Sequence, residues 1–123
     1  MTNLERARRA HEAASRGDLD GVLSHCDPDI EVTGREGGDP YRGHDGVRRW
    51  WRDAPEAEGL RGADIQGLQE HGDWVVARVH KAGARGDGDP EPDSVHATRW
   101  RDGRSVGWRV FRTLEEALEA VLL

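Results

Sequence analysis

The sequence predicts one α+β domain, in which three N-terminal helices pack against a curved, mostly antiparallel sheet and a short C-terminal helix follows. Two observations predict this class. Apolar residues recur at helical spacing up to residue 54 and alternate with polar residues from residue 63 onward. Two tight-turn sequences, His71-Gly72-Asp73 and Asp102-Gly103, then divide the second half into hairpins. Residues 1–123 are therefore expected to form a single domain.

Two helices are predicted at the N-terminus. The first spans residues 3–16, and Gly17 is its C-terminal stop. Asp18 is placed to cap the second helix, whose apolar stripe extends to Cys26. Pro28 is expected to end that helix.

A short strand and a third helix come next. Ile30 and Val32 alternate with polar neighbours, which is typical of a strand with one buried face. The glycine-rich segment 34–43 is predicted to be a loop. A third helical stripe begins at Val47, includes two adjacent tryptophans and stops at Pro55.

Four strands and a last helix complete the predicted fold. The period-two pattern places the strands at 63–70, 74–82, 94–101 and 104–112. Thr113 and Glu116 have the spacing of a capping box before the apolar C-terminal segment. We expect this final helix to pack back onto the sheet.

Composition excludes several classes of function. The net charge of −6 argues against a nucleic-acid surface. The single cysteine, Cys26, permits no intramolecular disulfide and is read as a small buried hydrophobe rather than a nucleophile. No apolar run approaches the roughly 18 residues of a membrane span. We therefore expect a cytoplasmic protein that contacts neither nucleic acid nor membrane.

Arginine dominates the basic residues, with Lys81 as the sole lysine. This bias is typical of a GC-rich genome, so an individual arginine says little about recognition unless it lies in a pocket. Hydrophobic residues make up only 35% of the chain, and five tryptophans supply much of its apolar bulk. A homodimer that hides one face of the sheet is expected.

The order of short motifs along the chain resembles a known family. Gly17-Asp18, then Asp27-Pro28-Asp29, then Gly43-His44-Asp45-Gly46-Val47 resemble the SnoaL-like branch of the nuclear-transport-factor-2-like (NTF2-like) superfamily. The resemblance covers nearly the whole chain and implies a cone with one deep pocket that holds a small apolar organic ligand. Family members include ketosteroid isomerase and polyketide cyclases, alongside proteins that only bind.

The residues of the ketosteroid isomerase mechanism are absent. The resemblance places that family's general base at Gly34 and its tyrosine network at Ala10, Cys26 and Trp51. Its buried acid falls on His96. Because the base and the phenol donors are missing together, steroid isomerisation by that mechanism is not expected.

His96 is the candidate catalytic residue. It shares a strand face with Ser94, Thr98 and Trp100, and the resemblance implies that this face looks into the cone. An imidazole titrates near neutrality and is suited to moving a proton to or from a carbonyl substrate. The alternative is a buried, neutral histidine bonded to Thr98 or to a backbone carbonyl.

The candidate ligand-binding residues are mostly aromatic. Trp51, Trp100 and Trp108 would form the wall of an apolar pocket, with Thr98 beside them. The alternative is that the tryptophans only fill the core. His11, on the first helix, is a further candidate for the pocket floor.

Two residues near helix starts are also considered. Arg112 is placed to hold a carboxylate or phenolate at the pocket mouth, and the alternative is a surface salt bridge to Glu115 or Glu116. His44 is expected to cap the third helix or to face water.

No cofactor and no metal are expected. The acidic alternation from Asp87 to Asp93 superficially resembles a calcium loop, but Pro92 and Thr98 stand where an EF-hand needs glycine and glutamate. No histidine or cysteine pair has zinc spacing. We interpret this segment as a solvated loop.

Two hypotheses for function remain open. The first is a cofactor-free enzyme of the isomerase or cyclase type that transfers a proton through His96. The second is a non-catalytic ligand-binding or dimerisation module. The missing tyrosines and aspartate favour the second, and the histidine on the pocket face favours the first.

Overall fold

The computed structural model describes residues 1–80 and 94–122, which form five helices and six strands. The helices are α1 (Asn3–Ser15), α2 (Leu19–Ser24), α3 (Gly43–Asp53), α4 (Pro55–Glu58) and α5 (Leu114–Leu122). The strands are β1 (Cys26–Thr33), β2 (Tyr41–Arg42), β3 (Asp64–His71), β4 (Trp74–His80), β5 (Ser94–Arg101) and β6 (Arg104–Phe111). The predicted α+β class is confirmed.

The strands form one mixed sheet in the order β2-β1-β6-β5-β4-β3. Every neighbouring pair is antiparallel except β1 and β6, which run parallel. The two outer strands are interrupted or short. β2 has two residues, and β3 has a register shift between Gln66 and Gln69, where Gly67 adopts a φ of +59°.

Short sequence motifs predicted the hairpin turns and the helix caps correctly. Asp102 and Gly103 have φ angles of 52° and 80°, as a type I′ turn between β5 and β6 requires. Asp18 accepts a hydrogen bond from the backbone N–H of Gly21 and caps α2. Thr113 accepts from the N–H of Glu116 at the start of α5.

The prediction of a second helix through Cys26 is wrong. The helix α2 ends at Ser24, and Cys26 begins β1 opposite Ser105. The N–H of Ser105 donates to the carbonyl of His25 at 2.7 Å, so pairing with β6 draws this segment out of the helix. Pro28 consequently lies inside β1 rather than at a helix end.

Two further elements depart from the prediction. Tyr41 and Arg42, assigned to a loop, form β2 against β1. Pro55 ends the α3 stripe as expected, but it also occupies the first turn of the short helix α4, so four helices rather than three precede β3.

Helices cover both faces of the sheet. On β5, Val95 and Ala97 pack with Ala117 of α5 on one face. His96 lies on the opposite face, where α1 and α3 contribute neighbouring rings. The central strand is therefore buried on both sides, and its polar side chains must find partners inside the protein.

Part of the prediction falls outside the described residues. The connection 83–92, with the acidic run from Asp87 to Asp93, lies there, as does the end of the predicted strand 74–82. Within the part of the chain that the structure describes, no helix is long and apolar enough to cross a bilayer.

Candidate functional site

His96 forms two side-chain hydrogen bonds in the interior. Its Nδ1 accepts from the indole Nε1–H of Trp108 at 2.9 Å, and its Nε2 lies 3.0 Å from the hydroxyl of Ser94. Because an indole nitrogen only donates, Nδ1 must be the unprotonated nitrogen. Nε2 therefore carries the proton and donates a hydrogen bond to the hydroxyl oxygen of Ser94.

The environment keeps this imidazole uncharged. Burial lowers the pKa of His96 well below its usual value, and the nearby charge of Arg35, together with that of His11 whenever His11 is protonated, lowers it further. Its basic lone pair is already engaged by Trp108. The expected alternative partners, Thr98 or a backbone carbonyl, are replaced by Ser94 and Trp108. The catalytic role of His96 stays a prediction.

His11 of α1 faces His96 and Trp108 across the interior. Its ring centroid lies 6.1 Å from that of His96 and 5.0 Å from that of Trp108. The side chain is fully buried, yet neither ring nitrogen has a hydrogen-bond partner among the described residues. Burial lowers the pKa of His11 to about 4, so the ring is neutral and offers one donor and one acceptor.

Trp50 of α3 completes the group on the other side. Its ring centroid lies 5.8 Å from Trp108 and 6.4 Å from His96, and its Nε1–H also lacks a partner within residues 1–80 and 94–122. We refer to His11, Trp50, His96 and Trp108 as the interior ring cluster. A buried polar group that stays unsatisfied costs about 1–3 kcal/mol, so a new partner for either side chain would be stabilising.

Arg35 approaches the interior ring cluster from the end of β1. Val32 pairs with Trp108, and Arg35 follows three residues later. The Nε of Arg35 is buried without a partner in the described part of the chain, while its backbone N–H donates to Glu56 at 3.1 Å. Its positive charge is one of the smaller causes that lower the pKa of His96, after burial.

A surface cavity opens at the end of β1, lined by the chain neighbours of Arg35 but not by Arg35 itself. It has a volume of about 240 Å³ and is lined by residues that include Gly34, Tyr41 and Glu56. Gly34 precedes Arg35 in the chain, and Glu56 binds its backbone. None of the residues of the interior ring cluster lines this cavity.

The SnoaL-like domain family matches residues 7–108 of the chain. This protein belongs to the SnoaL-like domain family. The match spans α1 through most of β6 and therefore contains the whole interior ring cluster and Arg35. The resemblance inferred from the short motifs is confirmed.

Solved structures share the fold of this SnoaL-like domain. An NTF2-like protein of unknown function from Burkholderia pseudomallei is 27% identical, with a TM-score of 0.66 and full coverage of both chains. TerC, crystallised with polyporic acid, is 22% identical, with a TM-score of 0.68 over 98% of this chain and 97% of its own. A protein from Sinorhizobium meliloti described as a candidate polyketide cyclase is 23% identical, with a TM-score of 0.63 over 86% and 93%. No curated protein matches the sequence.

The three tryptophans that were predicted to form one pocket wall lie in two separate hydrophobic clusters of the SnoaL-like domain. Trp108 lies in the interior ring cluster, and Trp51 belongs to the same hydrophobic core, with the Arg61 guanidinium 4.5 Å from its ring centre. Trp100 packs instead with Ala7 and Ala10 of α1, in a separate cluster.

Thr98 is hydrogen-bonded to Trp100 rather than to His96. Its hydroxyl oxygen accepts from the indole Nε1–H of Trp100 at 2.8 Å, and both side chains are buried. Their contact with a ligand stays a prediction, as it does for Trp51.

Arg112 lies at the surface. Its side chain is 57% exposed and forms an ion pair with Glu36 of the β1–β2 connection. The expected alternative of a salt bridge to Glu115 or Glu116 is therefore wrong. Because β6 pairs with β1, Arg112 at the end of β6 lies next to the β1–β2 connection, and its side chain contacts Glu36 there rather than α5.

Two other side chains have structural roles in the SnoaL-like domain. The Cys26 thiol is buried, lies 3.3 Å from the carbonyl of Val22, and has a pKa that burial raises to about 12. It is not a thiolate at neutral pH. The Nε2 of half-buried His44 lies 2.9 Å from the carbonyl of Cys26, and no side chain caps α3, so His44 bonds to β1 instead of capping the helix.

Arg35 and Trp50 are the functional candidates that sequence reasoning missed. Arg35 was discounted with the other arginines and placed in a loop, although it directly follows the family's base position at Gly34. Trp50 is one of the two adjacent tryptophans of the third helical stripe, and a helical stripe by itself indicates packing rather than a ligand contact. In the described residues, no group of three or more histidine, cysteine or acidic side chains is arranged to hold a metal.

Proposed function

We propose that this SnoaL-like protein binds a small, mostly apolar organic molecule at the interior ring cluster. The observation that carries the proposal is His11, a fully buried imidazole with both nitrogens unpartnered among the described residues. A ligand that places one polar group against His11 and its apolar body against the indoles of Trp50 and Trp108 would satisfy this site. Binding would then recover part of the free energy that the unpaired groups cost.

Two neighbours in fold support a small organic ligand. TerC was crystallised with polyporic acid, and the Sinorhizobium meliloti protein is described as a candidate polyketide cyclase. A polyketide-like aromatic compound with oxygen substituents is therefore the ligand class to test first. The expected homodimer and cytoplasmic location stay predictions.

Intrinsic tryptophan fluorescence tests binding directly. The purified protein is titrated with polyketide-like, terpene and steroid-like compounds, and each hit is repeated with His11→Phe. This variant keeps a ring of similar size but removes both nitrogens, so we expect hits to bind it at least tenfold more weakly. His71→Phe, outside the ring cluster, is the matched control, and it should bind as the unaltered protein does.

The outcomes are distinct. Hits that bind His11→Phe with unchanged affinity place the ligand elsewhere and refute this site. The absence of any hit across the three classes favours an interaction module over a ligand-binding protein.

Proton transfer is the second candidate function, and the unpaired ring nitrogens of His11 favour it. A neutral imidazole accepts a proton without first losing one, although the lowered pKa of His11 makes it a weaker base than a free histidine. His11 has an unoccupied nitrogen for this role, whereas His96 must first release the indole of Trp108. In this reading His11 exchanges the proton, and His96 with Trp108 positions the substrate.

Turnover measured on the binding hits separates the two histidines. His11→Gln should abolish turnover if His11 exchanges the proton. Trp108→Phe frees the Nδ1 of His96 and should then lower turnover, because a positioning bond is lost. Faster turnover in Trp108→Phe together with none in His96→Gln would instead make His96 the base, as the sequence predicts.

A further inference from the structure

The unpaired polar atoms around the interior ring cluster are mainly donors. Trp50 Nε1–H and Arg35 Nε–H can only donate, and His11 adds one donor and one acceptor. None of these groups finds a partner in the described residues. The complementary ligand group is therefore an oxygen with several lone pairs.

Arg35 differs from the arginines that surround it at the surface. Arg112 pairs with Glu36, and Arg52 pairs with Asp53 through two hydrogen bonds. Arg35 forms no ion pair within the described residues, and its Nε is buried. A guanidinium stays charged at any physiological pH, so no carboxylate of the described residues pairs with this positive charge, whose Nε lies inside the protein.

We propose that Arg35 selects a ligand whose apolar skeleton carries an anionic oxygen, such as a carboxylate, enolate or phenolate. This inference rests on the proposed function, since it assumes a ligand at the interior ring cluster. The anionic oxygen accepts from Arg35, and the indole N–H of Trp50 or a nitrogen of His11 binds the remaining oxygen atoms. The ligand thereby supplies a counter-charge that no ion pair within the described residues supplies.

Glu56 is the carboxylate that competes with an anionic ligand for Arg35. Its Oε1 already accepts from the backbone N–H of Arg35, and it lines the cavity that opens there. Other carboxylates line the same cavity, including Asp39, Glu36 and Asp53, and the last two are neutralised by arginines. Removing the charge of Glu56 should therefore strengthen, not weaken, the binding of an anion.

Two fluorescent probes with one skeleton provide the test. These are 8-anilinonaphthalene-1-sulfonate and N-phenyl-1-naphthylamine, which differ by the sulfonate group alone. We expect Arg35→Gln to weaken sulfonate binding about tenfold, because a charge-assisted hydrogen bond is lost, and to change naphthylamine binding less than twofold. Arg48→Gln, with the same charge change on the exposed face of α3, should leave both affinities unchanged.

Each outcome bears on one of the two proposals. If both probes bind and Arg35→Gln weakens neither or both equally, selection by Arg35 is wrong and the interior site stands. If Arg112→Gln rather than Arg35→Gln lowers sulfonate binding, the surface arginine predicted from the sequence is the anion contact. If neither probe binds, or if both bind His11→Phe as tightly as the unaltered protein, the proposed interior site fails and this inference with it.

Discussion

The hydrogen bond between Trp108 and His96 makes a quantitative prediction, because Trp50 is its matched control. Both indoles are buried to within 2% of full burial, and both belong to the same hydrophobic core. Only Trp108 donates to a partner, at 2.9 Å, whereas the Nε1–H of Trp50 has none in the described chain. Trp108→Phe and Trp50→Phe therefore remove the same volume and differ in the hydrogen bond.

The difference in stability follows from that contrast. Trp108→Phe leaves the Nδ1 of His96 buried and unpaired, which costs about 1–3 kcal/mol beyond the packing loss. Trp50→Phe removes a donor that is already unpaired, so part of its packing loss is offset. We expect Trp108→Phe to be less stable than Trp50→Phe by about 2 kcal/mol, or about 8 °C in Tm for a domain of this size.

Urea denaturation followed by circular dichroism measures this difference without relying on the altered indoles. Nitrogen NMR of the unaltered protein provides an independent check, since His96 should carry its proton on Nε2 and none on Nδ1. Variants of equal stability, within about 0.5 kcal/mol, would refute the assigned role of Trp108. A proton on Nδ1 would refute the tautomer on which the argument rests.

Three further predictions concern acid sensitivity, thiol reactivity and a turn. Burial lowers the pKa of His11 from 6.5 to about 4, so below pH 6.5 the unfolded chain binds a proton at this residue that the folded protein does not. The contribution of His11 to stability is therefore full above pH 6.5 and is lost as the pH falls toward 4. His11→Phe should reduce the loss of stability between pH 7 and pH 4.5 by about 2 kcal/mol, measured by urea titration at both pH values. Cys26 should react with a thiol reagent at pH 8 only after unfolding, and rapid labelling of the native protein would contradict its burial. Gly103→Ala should lower the free energy of unfolding by about 1–2 kcal/mol, because Gly103 has a φ of +80°, while Gly107→Ala, whose added Cβ would meet only Arg99 at 3.6 Å, is the comparison.

Local patterns in the sequence determined most of the fold. Hydrophobic period located the helices and the four strands of the second half, and Asp102-Gly103 located the turn between β5 and β6. The segment around Cys26 was misread because its apolar spacing also fits a helix. Its strand conformation depends on pairing with β6, almost 80 residues away, which no local pattern records.

The sequence predicted which strand face carries the candidate site, but it did not predict the hydrogen-bond partners of His96 or the contribution of Arg35. The family resemblance implied that the strand face of His96 looks into the cone, and in the structure His96 lies on the face that carries rings of α1 and α3. Its partner Trp108 depends on the register between β5 and β6, since Trp108 pairs with Thr98 and reaches His96 from the adjacent position. Arg35 has no periodic signature at all, because it lies past the end of β1, where only the three-dimensional course of the chain brings it inward.

The sheet exposes little usable edge at either end. β2 is too short to offer more than two residues, and β3 is kinked at Gly67 and carries polar side chains along its length. A continuous row of free amide and carbonyl groups is what lets one chain add onto another as an extra strand and seed fibrils. At the edges formed by the described residues, this architecture therefore disfavours growth by the addition of an extra strand.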